Sequence, residues 1–409
     1  MAGCNTAPTD RRRQARADLT PGYSLYLDVV RCVAALAVVL EHVASYPFSR
    51  TTPTSTHPLL AFFGIYGNSA VIVFFVLSGY VIAYVVATRE RTAWAYSANR
   101  ISRLYSVVLP ALVLTFAFDA LGQWLNPGFY SIRTVLWKPA SWEGYLSSLF
   151  FVNEFQVFDL SGAVPGTNAP FWSLSFEATY YIVAGLVLFA PLRYALPLAF
   201  VLLGLAGRTI AALLPLWGLG FWLYKAGARL AERVPFARTL LVLSSLAIMA
   251  FPQIPSFVAL TNFGAYFPWG HGPFNRNLLL DYATALAFAV QMVAARRLFS
   301  SMHAPRPRLE RLIRWLGSTT FPMYAMHYPA LCLFAALSPF APTSWVHILF
   351  ISAAVIIVIA LMTPVCEWLK DALRRALTPT PSPRIAPVPT HSRFGLGVNE
   401  HARRLRKSL

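Results

Sequence analysis

The chain has 409 residues, of which 57% are hydrophobic and only 12% charged, and it carries a formal net charge of +18. That apolar fraction excludes an ordinary soluble domain and points to the lipid bilayer as solvent. Membrane topology and contact with anionic lipid account for the basic excess, so no nucleic-acid partner is expected.

Apolar runs of about twenty residues begin near Leu25, Gly64, Leu104, Phe171, Tyr194, Thr209, Thr239, Leu278, Leu312 and Ser344. They predict an all-α polytopic membrane protein with about ten transmembrane helices. The run at Tyr194 is short and abuts the next at Arg208. GYLSSLFFVNEF at 144–155 is shorter than a normal span and is expected to be re-entrant or interfacial. Arginine-rich segments lie at the start (Arg11, Arg12, Arg13, Arg16), between Arg89 and Arg103, from Lys225 to Arg238, from Arg296 to Arg314 and after Lys370. The connections 48–63, 256–277 and 338–343 carry almost no positive charge, an alternation that places both termini in the cytoplasm. The expected organisation is a basic cytoplasmic segment (1–21), a transmembrane domain (22–370) and a disordered cytoplasmic tail containing Pro and Arg (371–409).

The basic start resembles a signal-peptide n-region. The next segment, YLDVVRCVAALAVVLEHVASYPF, is too long for an h-region and carries charges, so it is expected to be retained as the first helix. Within it Arg31 and His42 are eleven positions apart, which at about 100° per residue returns them to nearly one face, about 16 Å apart along the axis. Asp28 sits within about 60° of Arg31. Arg or Asp at bilayer depth costs about 2.5–3.5 kcal/mol on insertion scales, so such a stripe needs partners or a task. His42 is either a general base or half of an interhelical hydrogen bond. Arg31 is either a site residue or a snorkelling anchor.

Arg100 and Arg103 in NRISRLY share one helical face before the third span; they read as topological anchors or as paired forks for a phosphate. In FWSLSFEATYY, Ser173, Glu177 and Tyr181 form an i, i+4, i+8 stripe. Glu177 is either the structural partner of a cation or an acid/base group. In FPMYAMHYPAL, His327 lies one turn after Tyr324 and either bonds within the core or lines a site. The four cysteines form no disulfide framework, and no metal-ligand spacing, GxSxG elbow, phosphate loop or dinucleotide fingerprint is present. No metal site and no permanently bound cofactor are expected.

Five blocks taken together, LDVVRCVAALAVVLEH, FFVLSGYVI, RISRLY, FWSLSFEATYY and LGSTTFPMYAMHYP, resemble the signature blocks of the acyltransferase-3 family of integral-membrane acyltransferases. The likeness covers residues from about 22 to 370. It implies transfer of an acyl group, usually acetyl, from cytoplasmic acyl-CoA as co-substrate to a hydroxyl of a cell-surface or lipid-linked carbohydrate, at the inner (cytoplasmic) membrane. It also implies that the family's Arg-then-His pair is Arg31 and His42, its Arg-x-x-Arg motif Arg100 and Arg103, and its Trp-Ser-Leu-Ser-x-Glu block Trp172 to Glu177. Two departures accompany it: Ile72 stands where many relatives have Asp, and Ala178 replaces a second common acid.

On this reading His42 is catalytic with Glu177 orienting it or balancing charge. Arg31, Arg100 and Arg103 bind the donor, and Asp28, Ser173, Tyr181, Tyr324 and His327 line the site. The partners expected are acyl-CoA, a carbohydrate or glycolipid acceptor and the bilayer, with the enzyme acting alone or with a separate extracytoplasmic partner protein. Two other readings stay open at this stage: an acyltransferase tailoring a small glycosylated metabolite such as a macrolide, and a transporter or flippase of a lipid-linked sugar.

Overall fold

In hydrocarbon every backbone N–H and C=O must find its partner inside the protein, so long apolar runs fold as helices that satisfy themselves. The computed structural model describes residues 19–45, 58–134, 141–158, 163–254, 278–302 and 306–378. Among these residues there are helices and no strand. Ten helices of fourteen or more residues follow in order: α1 (Pro21–Ala44), α2 (Gly67–Thr88), α3 (Ala93–Leu125), α4 (Trp172–Phe189), α5 (Leu192–Ala206), α6 (Arg208–Arg233), α7 (Ala237–Ala250), α8 (Leu278–Phe299), α9 (Pro307–Leu337) and α10 (Trp345–Leu377).

Seven of these are long and apolar enough to cross a bilayer: α1, α2, α3, α4 with the 3-10 turn before it (Ala169–Phe189), α6, α8 and α10. The chain is a multi-pass membrane protein. Helices α5 and α7, with 15 and 14 residues, rise only about 21–23 Å at about 1.5 Å per residue, short of a hydrocarbon core of about 30 Å. Helix α9 has 31 residues but interrupts its apolar character with Ser318, Thr319, Thr320 and His327. Outward faces carry bare apolar side chains such as Val113, Phe200 and Leu349, as a lipid-facing surface requires.

Local chemistry sets the helix ends. Thr92 and Ser344 cap α3 and α10, accepting from the backbone N–H of Ala95 and His347. Gly207, at φ +100°, stops α5 in a conformation that a side chain would strain. Segment 144–155 does not cross as a helix. Trp142–Leu149 has eight residues, and Phe151 at φ +59° reverses the chain while Val152 N–H bonds back to Ser147 O at 2.8 Å, a Schellman-type closure.

Helix α9 packs against α1, α3 and α10, and α2 packs against α1, α6 and α8. The α2–α6 contact is close because of glycine. A Cβ on Gly79 would meet Trp217 O at 2.0 Å, and one on Gly220 would meet Val76 O at 1.8 Å, so the two backbones touch as small-residue membrane interfaces allow.

The expected boundaries at 21 and 370 compare with helix limits at Pro21 and Leu377. The basic arginines before residue 18, most of the connection 48–63, the connection 256–277 and the tail from 379 lie outside the described residues, as do His57, His271, His303, His391 and His401.

Candidate active site

Two cavities share a wall of arginines. The larger, about 720 Å³, falls in the range of small-molecule sites. Seven Arg and Lys side chains line it against three carboxylates, Asp28, Glu90 and Glu367, so its field favours an anion. The smaller, about 70 Å³, takes one wall from apolar side chains of α2 such as Val71, Phe74 and Phe75. Arg31, Arg100, Arg103 and Phe321 line both, which makes one vestibule narrowing past three guanidinium groups into an apolar slot.

The arginines are held differently. Arg100 is buried, donates to Glu90 at 2.6 Å, and lies against the rings of Tyr96 and Tyr181 at 5.4 and 5.5 Å. Its Nε and Nη1 are buried without a hydrogen-bond partner. Arg103 lies 5.9 Å from the Phe321 ring centroid and interacts electrostatically with Tyr181 and Glu177. Arg31 pairs loosely with Asp28, one turn back on α1, at 3.9 Å, and Asp28 also meets Arg314 of α9 at 3.5 Å.

Glu177 faces this wall from α4. Its Oε1 accepts from Tyr181 Oη one turn on and from Ser78 Oγ at 3.3 Å, and Ser78 accepts from Trp217 Nε1 at 3.2 Å. Arg31 is among its electrostatic neighbours. The carboxylate is therefore hydrogen-bonded to a hydroxyl pair and balanced by guanidinium charge.

The histidines form a second centre. His42 Nδ1 lies 2.9 Å from His327 Nε2, and the edge-on ring of Tyr328 sits 5.0 Å from His42. His327 is fully buried, and its Nδ1 faces the carbonyls of Met323 and Tyr324 at 2.8 and 3.0 Å. Between the two centres stands Tyr324, which lines the slot and shares a 2.7 Å hydrogen bond with Ser173 Oγ. The floor is locked from behind. Asn168 donates to Thr115 Oγ1 at 3.0 Å and Ala325 O at 2.8 Å, and Thr167 donates to Asp119 from both N and Oγ1 at 2.8 and 2.7 Å.

The acyltransferase-3 family, described as an acyltransferase domain, matches residues 24–364, which takes in Arg31, His42, Arg100, Arg103, Glu177 and His327. The chain belongs to this family. It is also similar to a protein named O-acetyl transferase from Shigella phage Sf6, 29% identical over 205 residues, a match covering 46% of this chain and 56% of that relative. The chain thus spans little more than half the length of that relative. No solved structure matches.

As a member of the acyltransferase-3 family, the chain brings seven of its predicted site residues to one slot: Arg31, Arg100, Arg103, Ser173, Glu177, Tyr181 and Tyr324. Asp28 lines the vestibule. His42 and His327 pair with each other; of the two roles expected of Glu177, orienting His42 or balancing charge, its hydrogen bonds serve neither imidazole and go to Ser78 and Tyr181. Ile72 is fully buried and Ala178 nearly so. Sequence reasoning missed Glu90, Ser78, Trp217 and Asn168. Ser78 had a signal, being the serine in the apolar run FFVLSGYVI; Glu90 lies only ten positions before Arg100 but in a charged connection, and Trp217 and Asn168 reach their partners across helices.

Proposed function

We propose that this chain is an acyl-CoA-dependent O-acyltransferase, acting first on acetyl donors, that modifies a hydroxyl of a cell-surface or lipid-linked carbohydrate. The observation that carries the reading is the cationic vestibule narrowing past Arg31, Arg100 and Arg103 into an apolar slot. A phosphate-rich head with a long neutral arm ending in a thioester matches that gradient of charge and polarity. Membership of the acyltransferase-3 family and the likeness to the phage O-acetyl transferase support the same chemistry. The reading takes the enzyme as a ten-span protein of the cytoplasmic membrane with both termini inside. The donor then enters from the arginine-rich side, no cofactor is held between turnovers, and the enzyme works alone or with an extracytoplasmic partner protein.

In the proposed step His42 removes the proton of the acceptor hydroxyl as its oxygen attacks the thioester carbonyl. The C–S bond breaks and the new ester C–O bond remains. The departing thiolate takes the proton back from His42 and leaves as free CoA. Glu177, held by Tyr181 and Ser78, balances the guanidinium charge beside the slot and is given no proton to move.

Incubating the purified protein in lipid with radiolabelled acetyl-CoA and a membrane extract of its host tests the assignment. Label is expected in a carbohydrate ester, with none for His42→Ala present at normal levels. Undiminished transfer by that variant sinks the role of His42, and no CoA release by the wild type under any acceptor supply sinks the acyltransferase reading of the cavity.

A further inference from the structure

The contacts around the two histidines fix where their protons sit. A carbonyl oxygen can only accept, and His327 Nδ1 faces two of them, Met323 O at 2.8 Å and Tyr324 O at 3.0 Å. That nitrogen must carry a proton. In a neutral imidazole the other nitrogen then holds the lone pair, so His327 Nε2 is an acceptor. Its partner at 2.9 Å is His42 Nδ1, which must therefore be the N–H. The lone pair of His42 is left on Nε2.

From this chain of donors we infer that His327 is a positioning residue that sets the tautomer of His42, making Nε2 the basic atom. Resting on the acyltransferase reading above, the inference replaces Glu177 in the orienting role, because that carboxylate is engaged by Ser78 and Tyr181. The backbone of α9 thereby does what a carboxylate does in hydrolytic triads: it anchors one end of a relay whose other end aims the base. When Nε2 takes the hydroxyl proton, His42 becomes an imidazolium whose Nδ1–H still points at the His327 lone pair. The positive charge is thus met by a neutral acceptor, and no second proton moves. The sites are built for this asymmetry, since His327 is fully buried while His42 is only half-buried.

Nitrogen-15 NMR of histidine-labelled full-length protein in lipid nanodiscs tests the tautomer without relying on turnover. The His42 signals are identified by their loss in His42→Ala. At a pH where the imidazole is neutral, the expected spectrum has His42 protonated on Nδ1 and bare on Nε2. A proton on Nε2 in the wild type overturns the inference, whatever the activity. Turnover supplies the second arm. His327→Leu removes the acceptor and is expected to lower kcat by roughly 10- to 100-fold, the usual cost of losing a group that orients a functional imidazole, with the KM for the donor unchanged. His327→Gln, whose carbonyl oxygen can still accept from Nδ1–H, is expected to regain part of that loss. Equal, wild-type rates in both variants, with His42→Ala inactive, would reduce His327 to packing while leaving the function intact; an active His42→Ala would instead overturn the base role of His42 and with it the positioning role of His327, while CoA release by the wild type would still uphold the acyltransferase reading.

Discussion

Arg100 and Glu90 form a buried ion pair at 2.6 Å that uses one arm of the guanidinium and leaves Nε and Nη1 without partners. Asn99 donates to the same carboxylate oxygen at 2.9 Å, so Glu90 fixes Arg100 in the wall shared by the vestibule and the slot. Two unsatisfied donors on a buried cation are costly, and an incoming anion would relieve them.

Arg100→Lys is therefore expected to raise the KM for acyl-CoA about tenfold or more with a smaller change in kcat, because a point ammonium cannot reproduce the fork. Arg103→Ala is expected to act in the same direction. Steady-state kinetics across donor concentrations checks both; an unchanged KM in both variants means these arginines only anchor the topology.

Glu90→Ala separates position from charge. Removing one partner of a buried pair costs about 3–5 kcal/mol, since the other charge stays buried. The variant is expected to melt at lower temperature in detergent than Arg100→Ala does, although it removes no donor-binding group. Fluorescence-detected thermal unfolding of the two purified variants gives the comparison.

What was legible in the sequence was whatever helical periodicity controls. The Arg31–His42 stripe, the Arg100–Arg103 face and the Ser173–Glu177–Tyr181 stripe each depend on spacing within one helix; Arg31, Arg100, Arg103, Ser173, Glu177 and Tyr181 line the slot, whereas His42 is not among the residues that line it. Partners that meet across helices left no such trace. His42 and His327 are 285 positions apart, and nothing in either segment tells that the two rings meet. Glu90 sits only ten positions before Arg100, yet in the sequence it looks like one more charge in a basic connection. Composition does not give the length of the helix at Tyr194, which Pro191 before it and Gly207 after it, at φ +100°, limit to 15 residues.

The α2–α6 contact sets where Ser78 meets Trp217, and it depends on two glycines with no room for a Cβ. Gly220→Ala is expected to separate the helices and destabilise the protein by about 1–3 kcal/mol, the usual cost of overpacking. Gly218→Ala, two positions away with nothing within 4 Å of its added Cβ, is the matched control and is expected to be neutral. Membrane levels and melting temperature of the pair decide it.

Topology is tested by cysteine accessibility in a background lacking the four native cysteines. Ser97, exposed near the start of α3, and Ala341, exposed between α9 and α10, are replaced singly by Cys. An impermeant maleimide applied to intact cells is expected to label Ala341→Cys and spare Ser97→Cys, because the arginines beside Ser97 belong inside. The reverse pattern would place the vestibule outside the cell and remove a cytoplasmic donor from the mechanism.

The histidine pair also depends on a side chain that touches neither ring. Pro329 has no N–H, so it leaves Ala325 O without the helical donor four residues on. Asn168 supplies one, at 2.8 Å, while its other contact ties it to Thr115 of α3 at 3.0 Å. Asn168→Ala would strand that buried carbonyl at a cost of about 1–3 kcal/mol and free the α9 turn that bears Tyr324 and His327. The expected result is a lower melting temperature together with a fall in kcat larger than any change in donor KM, since Arg31, Arg100 and Arg103 sit on other helices. Asn168→Asp keeps the shape but offers only acceptors to Ala325 O, so it is expected to be no better than Ala. If Asn168→Asp matches the wild type in both melting and kcat, the carbonyl at Ala325 needs no donor and the support assigned to this loop is wrong.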